Sequence, residues 1–237
     1  MNESEFVVFG GSKGIGLEIT RLLSQSNQRV TVISRSMYTD NELKKVSHIS
    51  IDITRDDIDA GSLPDRIQGL VYCPGSIRLR PFHRLKPDDF LADFQINLIG
   101  AVKTIQACLP GLKKADSPAS IVLFSTVAVE TGMPFHASIA SAKGAVAGLT
   151  RSLAAEFAPT IRVNAVAPSL TDTNLAKTLL SDDGKRTAAA ERHPLKRFGH
   201  ARDIAAAAVF LLEDSASWIT GQVVAVDGGM GSVRTFK

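Results

Sequence analysis

Short runs of apolar, β-branched residues alternate along the chain with longer segments whose apolar positions recur every three or four residues. Runs at 6–9, 30–34, 48–53, 70–73, 121–125, 161–167 and 223–226 read as buried strands. Helical patterns cover 15–25, 87–113, 136–157 and 201–212, while 38–46 is too short and polar for a helix. Alternation of this kind predicts a parallel sheet covered on both faces through right-handed crossovers. No internal repeat, linker or low-complexity tract interrupts the pattern. The expected architecture is one doubly wound α/β domain over residues 1–237, with a mostly parallel seven-stranded sheet. Ligands of such a sheet bind at the carboxyl ends of its strands.

Composition narrows the function classes. With 237 residues, 44% of them apolar and 22% charged, the chain fits one ordinary globular domain. The formal charge of +3 implies no nucleic-acid partner, and the longest wholly apolar run, 204–212, is far too short to span a bilayer. The opening MNESEF carries no leader pattern. Cys73 and Cys108 lie in apolar stretches without metal-ligand spacing, as reduced core thiols do. The expectation is a cytoplasmic protein with no metal, no membrane partner and no nucleic-acid partner.

The stretch FVVFGGSKGIGLEI joins the first predicted strand to the first helix. Gly10, Gly14 and Gly16, with Ser12, Lys13 and Ile15 among them, let a backbone approach a pyrophosphate at a helix N-terminus whose N–H groups are free. The second strand ends in Ser34 and Arg35, where an acidic side chain would bind a ribose 2′-hydroxyl. Arg35 and Lys13 suit a 2′-phosphate instead, which points to NADP(H).

These residues, with others in order along the chain, resemble the short-chain dehydrogenase/reductase family over essentially the full length, which implies a Rossmann fold. Asp52, followed by Ile53 after the third strand, resembles the family's adenine-contacting acidic residue, and both are expected at the cofactor. YCPGS stands where the family has Asn-Asn-Ala-Gly, and only Gly75 matches. Asn97 in FQINLIGA, Ser125 in IVLFSTVA and Lys143 match the family's helix asparagine, catalytic serine and catalytic lysine. NAVAPSLTDT resembles the segment that holds the nicotinamide carboxamide, with Pro168 and Thr173 in place and Ser169 where glycine is usual. ITGQVVAVDGGM resembles the last strand.

The resemblance also implies a tyrosine four residues before the lysine, and this chain has Ile139 there. In the family the tyrosine protonates a carbonyl oxygen as hydride arrives, and the lysine bonds the nicotinamide ribose. Loss of a general acid costs about 10²–10⁴-fold. The penalty is heavy for an alkoxide and lighter for an enolate, which needs an oxyanion donor more than a fast acid. The family's enoyl thioester reductases place a tyrosine seven residues before the lysine, and His136 stands there. Seven helical residues return to nearly the same face, and a histidine donates hydrogen bonds and titrates near neutrality. Two readings stay open. One is an NADP(H)-dependent oxidoreductase acting on a carbonyl or activated double bond, with water or His136 as proton source. The other is a catalytically silent NADP(H)-binding protein, a sensor or inactive subunit.

Two basic stretches follow strands four and six: Arg78, Arg80, Arg84 and Lys86, then Lys185, Arg186, Arg192, Lys196 and Arg197. Flanking one cleft, they would attract an anionic small-molecule substrate such as an acyl thioester, although Asp182, Asp183 and Glu191 dilute the second. The Ala-rich, polar segment at about 174–198 reads as a mobile substrate lid. Gly144, Ala147 and Gly148 permit close helix approach, and the resemblance implies a homo-oligomer, dimer or tetramer, built on the helices at 88–113 and 136–157.

Overall fold

Successive side chains of a strand enter opposite faces of a sheet, and in this protein both faces are covered. The computed structural model describes residues 5–38, 40 and 43–235. Its central strands are β1 (Glu5–Phe9), β2 (Val30–Ser34), β3 (Val46–Ser50), β4 (Ile67–Tyr72), β5 (Ala119–Phe124) and β6 (Ile161–Pro168), and Val223–Val226 completes the sheet. A separate two-stranded sheet consists of β7 (Thr171–Asp172) and β8 (Gly199–His200), so the last central strand is β9. The order is β3-β2-β1-β4-β5-β6-β9, and every neighbouring pair is parallel.

One face buries α1 (Gly14–Gln25) and α7 (Ala201–Leu212), whose Ile19, Leu23, Ile204 and Ala208 pack with Val8, Val32 and Val122. The other buries α3 (Gly100–Leu112) and α5 (Ala137–Phe157), with Ile105, Leu112 and Val146 against Leu70, Ile121 and Val163. Shorter helices, α2 (Pro87–Phe94), α4 (Ala128–Thr131) and α6 (Asp183–Arg192), lie towards the carboxyl ends of the strands. This is the doubly wound α/β architecture expected. No helix among the described residues is long and apolar enough to cross a membrane.

Local boundaries differ from the hydrophobic pattern where pairing overrides it. The third strand, expected at 48–53, ends at Ser50, because its five residues pair one-to-one with the five of β2. Asp52 and Ile53 therefore lie in the turn beyond it. The fourth begins at Ile67, three residues early, since β1 pairs with Ile67 and then Gly69–Tyr72 across a register shift. The expected helix 87–113 runs without a gap to Leu112, with a π-helical turn at Gln95–Ile99 separating α2 from α3. The expected lid contains a 3-10 segment, Asn174–Leu180, and all of α6, whose N-cap Asp182 accepts the Lys185 amide at 2.9 Å.

Sheet order reverses between β1 and β4. Such a switch point opens a crevice where the crossovers leave in opposite directions. The site is built there.

Candidate active site

The turn after β1 is shaped by close backbone approach. Gly10 has φ +75°, and a Cβ on it would lie 3.1 Å from Pro74 N at the end of β4. A Cβ on Gly16 would lie 2.2 Å from Gly10 O, so the first turn of α1 seats on the loop only as glycine. Ser12 is buried in that loop and Lys13 is exposed. Gly14 lies beneath Thr173, and Ile15 faces the cavity described below. The free N–H groups of α1 thus open into the crevice.

Across the crevice, Lys143 on α5 donates from Nζ to Phe124 O at 2.8 Å, and Ser125 Oγ donates to Lys143 O at 3.1 Å. These reciprocal bonds stitch the end of β5 to the middle of α5. Burial pushes Lys143 down to about 8, against smaller raising effects of Cys73 and Asp93. Burial pushes the Cys73 thiol up to about 12, which fits packing rather than reactivity.

Asn97 comes inward on the π-helical turn, a feature often found at functional sites. Its Nδ2 donates to Asp93 O at 2.8 Å and to Ser76 Oγ at 3.1 Å, while its buried Oδ1 has no partner among the described residues. A Cβ on Gly75 would sit 3.1 Å from that Oδ1 and 3.6 Å from Lys143 Nζ. The bare glycine therefore keeps open a small polar space between Asn97 and Lys143. Beneath it lies a network the sequence did not announce: the fully buried Asp93 carboxylate accepts Ser76 Oγ at 2.6 Å and Ser138 Oγ at 2.5 Å.

Lys143 and Ser125 form the polar floor of a cavity of about 660 Å³. Ile77, Leu79, Met133, Leu175, Leu179 and Met230 give it an apolar wall. Ile139, one helical turn before Lys143 and 6% exposed, is part of that wall. His136 also reaches the cavity, from the N-cap position of α5 rather than from inside the helix. Its Nδ1 lies 2.8 Å from Pro134 O. A carbonyl only accepts, so Nδ1 carries the hydrogen and Nε2 is left for a ligand. Pro168 and Thr173 border the same cavity, as do Ser169 and His193.

At the far end of the crevice Arg35 is exposed. Ser34 Oγ is occupied, donating to Ser36 O at 2.8 Å and lying 3.0 Å from His48 Nε2. The Asp52 carboxylate accepts the Thr54 hydroxyl at 2.6 Å and the Thr54 amide at 3.0 Å. Those bonds, helped by Arg35, hold it below the usual carboxylate range. Ile53 turns its side chain into the core.

Much of the charge on the two basic stretches is paired, as the acidic residues noted in the second stretch implied. Arg78 pairs with Asp89, Lys185 with Asp182, Arg186 with Asp172, Lys196 with Glu191 and Arg197 with Asp203. Such exposed pairs add little stability, but each cancels most of the field its cation would cast at the cleft.

The family model described as Enoyl-(Acyl carrier protein) reductase matches residues 10–231. The chain is 32% identical over 235 residues to the 3-oxoacyl-(acyl-carrier-protein) reductase of Bos taurus, covering 94% of this chain and 96% of that protein. It is 36% identical over 156 residues to the peroxisomal 2,4-dienoyl-CoA reductase of Saccharomyces cerevisiae, covering 65% of this chain and 53% of that one. Among solved structures, ElxO with NADP bound superposes with a TM-score of 0.88 at 27% identity, covering 98% of this chain and 100% of that chain.

Proposed function

The chain belongs to the short-chain dehydrogenase/reductase family, and from that premise we propose that it uses NADP(H) to reduce a carbon–carbon double bond conjugated to a carbonyl. Oxidoreductase chemistry on a small molecule with a nicotinamide cofactor is common to the family. The finer assignment rests on one observation: Ile139, at the position of the family's tyrosine, is an inert wall beside the Lys143 ammonium. A ketone reduced there would leave an alkoxide without a strong acid. An enolate needs hydrogen bonds rather than immediate protonation.

The residues fit the nucleotide. The glycine turn would accept the pyrophosphate, and the orphaned Asn97 Oδ1 beside Gly75 and Lys143 offers an unused acceptor at the nicotinamide end. When bound, NADPH supplies the hydride. Lys143 holds the ribose, Ser125 exchanges its bond to Lys143 O for the substrate oxygen, and His136 or water supplies hydrogen bonds or a proton at that oxygen. The wall around Met133, Leu179 and Met230 accommodates an acyl chain, which favours an acyl thioester as substrate. A homo-oligomer is part of the proposal: a Cβ on Gly148 of α5 would meet nothing within 4 Å, leaving room for a partner helix.

NADPH oxidation with matched enoyl and 3-ketoacyl thioesters tests the reading. Turnover of the enoyl substrate, falling roughly tenfold or more in His136→Ala, is the expected result for a residue that assists at the oxygen. Turnover confined to the ketone overturns the assignment. The silent-binder reading is favoured by the same Ile139, and it predicts NADPH binding with neither substrate reduced.

Cofactor choice has its own test. Arg35→Asp is expected to weaken NADPH roughly 10–100-fold against NADH, because a charge-assisted hydrogen bond to the 2′-phosphate gives way to repulsion. Unchanged relative affinity, measured by fluorescence titration, overturns the NADP(H) preference.

A further inference from the structure

Ser169 stands where the family resemblance places glycine, and its hydroxyl has a partner that the reading above leaves idle. Ser169 Oγ lies 2.9 Å from His193 Nε2, and His193 Nδ1 lies 2.7 Å from Ala189 O. The ring is 3% exposed. Because a carbonyl only accepts, Nδ1 carries a hydrogen, and Nε2 is the nitrogen whose state changes.

Both protonation states of the ring are satisfied by the same geometry. In the neutral ring, Ser169 donates to Nε2. In the imidazolium, Nε2–H donates to Ser169 Oγ, and the serine proton turns away from the ring. Its other acceptor is Met230 Sδ at 3.1 Å, a weak one that a basic substrate atom displaces. The pair therefore gains or releases a proton without stranding a buried polar atom.

The pair also stands in the right place. Ser169, His193 and Met230 line the cavity that holds Ser125 and Lys143. Phe124 and Val166 pair on the parallel strands β5 and β6. Ser125 and Ser169 thus leave the ends of adjacent strands, which run about 4.8 Å apart.

We propose that Ser169 donates the proton to the substrate carbon, and that His193 is the positioning residue that resupplies it. The proposal rests on the double-bond reduction proposed above. Bound NADPH would supply hydride to the β-carbon and be left as NADP⁺, and the π pair of the double bond would move onto the carbonyl oxygen, where Ser125 would hold the enolate. The enolate pair then takes the Ser169 Oγ proton at the α-carbon. Ser169 Oγ takes the Nε2 proton, and the ring is left neutral with Nδ1–H still on Ala189 O. One hydride and one proton are consumed, and solvent returns the proton to the ring. His136 serves the oxygen end and the Ser169–His193 pair the carbon end.

The test compares wild type, Ser169→Ala, Ser169→Thr, His193→Gln and the double variant Ser169→Ala/His193→Gln, with NADPH and an enoyl thioester. Ser169→Ala is expected to lower kcat about 10²-fold, the lower end for a positioned acid, with KM and NADPH affinity unchanged. Ser169→Thr keeps the hydroxyl and recovers most of the rate. The double variant is no slower than the slower single, as for residues acting as a unit. A second readout is independent of turnover: ¹⁵N spectra of the nucleotide-free protein show His193 with a hydrogen held on Nδ1 and an Nε2 resonance that moves in Ser169→Ala. Wild-type kcat in Ser169→Ala overturns the relay and leaves the reductase reading standing. Wild type that binds NADPH and reduces nothing overturns that reading and the relay with it. A neutral ring protonated at Nε2 overturns the relay whatever the kinetics. If His193→Gln does not fold, Ser169→Ala and the spectra decide.

Discussion

Lys143→Met is expected to make the nucleotide-free protein more stable while abolishing most of its response to NADPH. Burial holds the Lys143 ammonium at about 8 against 10.5 for a free lysine. At 1.36 kcal/mol per pH unit that difference corresponds to about 3 kcal/mol against the folded state. Water entering the cavity lowers the figure, and the lost bond to Phe124 O removes roughly 1 kcal/mol more, so the net gain is about 1 kcal/mol. For a domain of this size that raises the melting midpoint by roughly 2–4 °C. The folded value lies below the unfolded one, so between pH 8 and 10.5 the unfolded chain binds more protons and wild-type stability rises with pH. The advantage of Lys143→Met is therefore largest below pH 8 and vanishes towards 10.5. NADPH affinity falls about 10–100-fold, as for the loss of a charged hydrogen-bonding group worth about 1.5–3 kcal/mol. Melting curves across that pH range, with and without NADPH, give both numbers. A variant that is less stable at pH 7, or one that NADPH stabilises as well as wild type, contradicts the role given to Lys143.

Ile139→Tyr is expected to open ketone reduction, raising turnover of a 3-ketoacyl thioester about 10²-fold or more. Side chains four apart on a helix are neighbours, with Cβ atoms about 5–6 Å apart, so a phenol at this position lies beside the Lys143 ammonium. That charge favours the phenolate and makes the group a better acid near neutrality. The ring enters a cavity of about 660 Å³ rather than packed core, which keeps the cost to folding low. Enoyl turnover should fall as the wall advances. A variant that folds and binds NADPH but still reduces no ketone would show that something other than Ile139 sets the reaction.

The parts of this site legible in the sequence are those fixed by short spacing on one element. Gly10, Gly14 and Gly16 had to make a tight turn into α1, and the spacing of Ile139 and Lys143 implied their common side of α5, whereas His136 reaches the cavity from the N-cap, where helical spacing does not apply. What could not be read depends on partners distant in the chain. Asn97 itself was legible through the family resemblance, but the π-helical turn that carries it, and its bond to Ser76, 21 residues back, were not, because nothing in QINLI marks that turn. The rim looked basic because its cations are adjacent in sequence, whereas Asp89 and Asp172, which neutralise two of them, are 11 and 14 residues away. The missed helix α6 had a visible N-cap in Asp182, but it buries only Ala189 and so shows no apolar stripe. The Ser169–His193 pair joins a residue that departs from the family pattern to one in the lid, and only the fold brings them together.

The clasp formed by β7 and β8 carries a consequence for how such a protein changes over time. Thr171 pairs with Gly199 and Asp172 with His200, so the chain leaves the core and re-enters it at one point. Everything between is a closed excursion whose ends are held independently of its contents. Doubling such a loop costs only about 0.6 kcal/mol in closure entropy. Residues 173–198 are therefore an exchangeable cassette. Replacing that segment changes the part of the cavity wall built by Leu175 and Leu179, while the glycine turn, Lys143 and the sheet beneath keep their places.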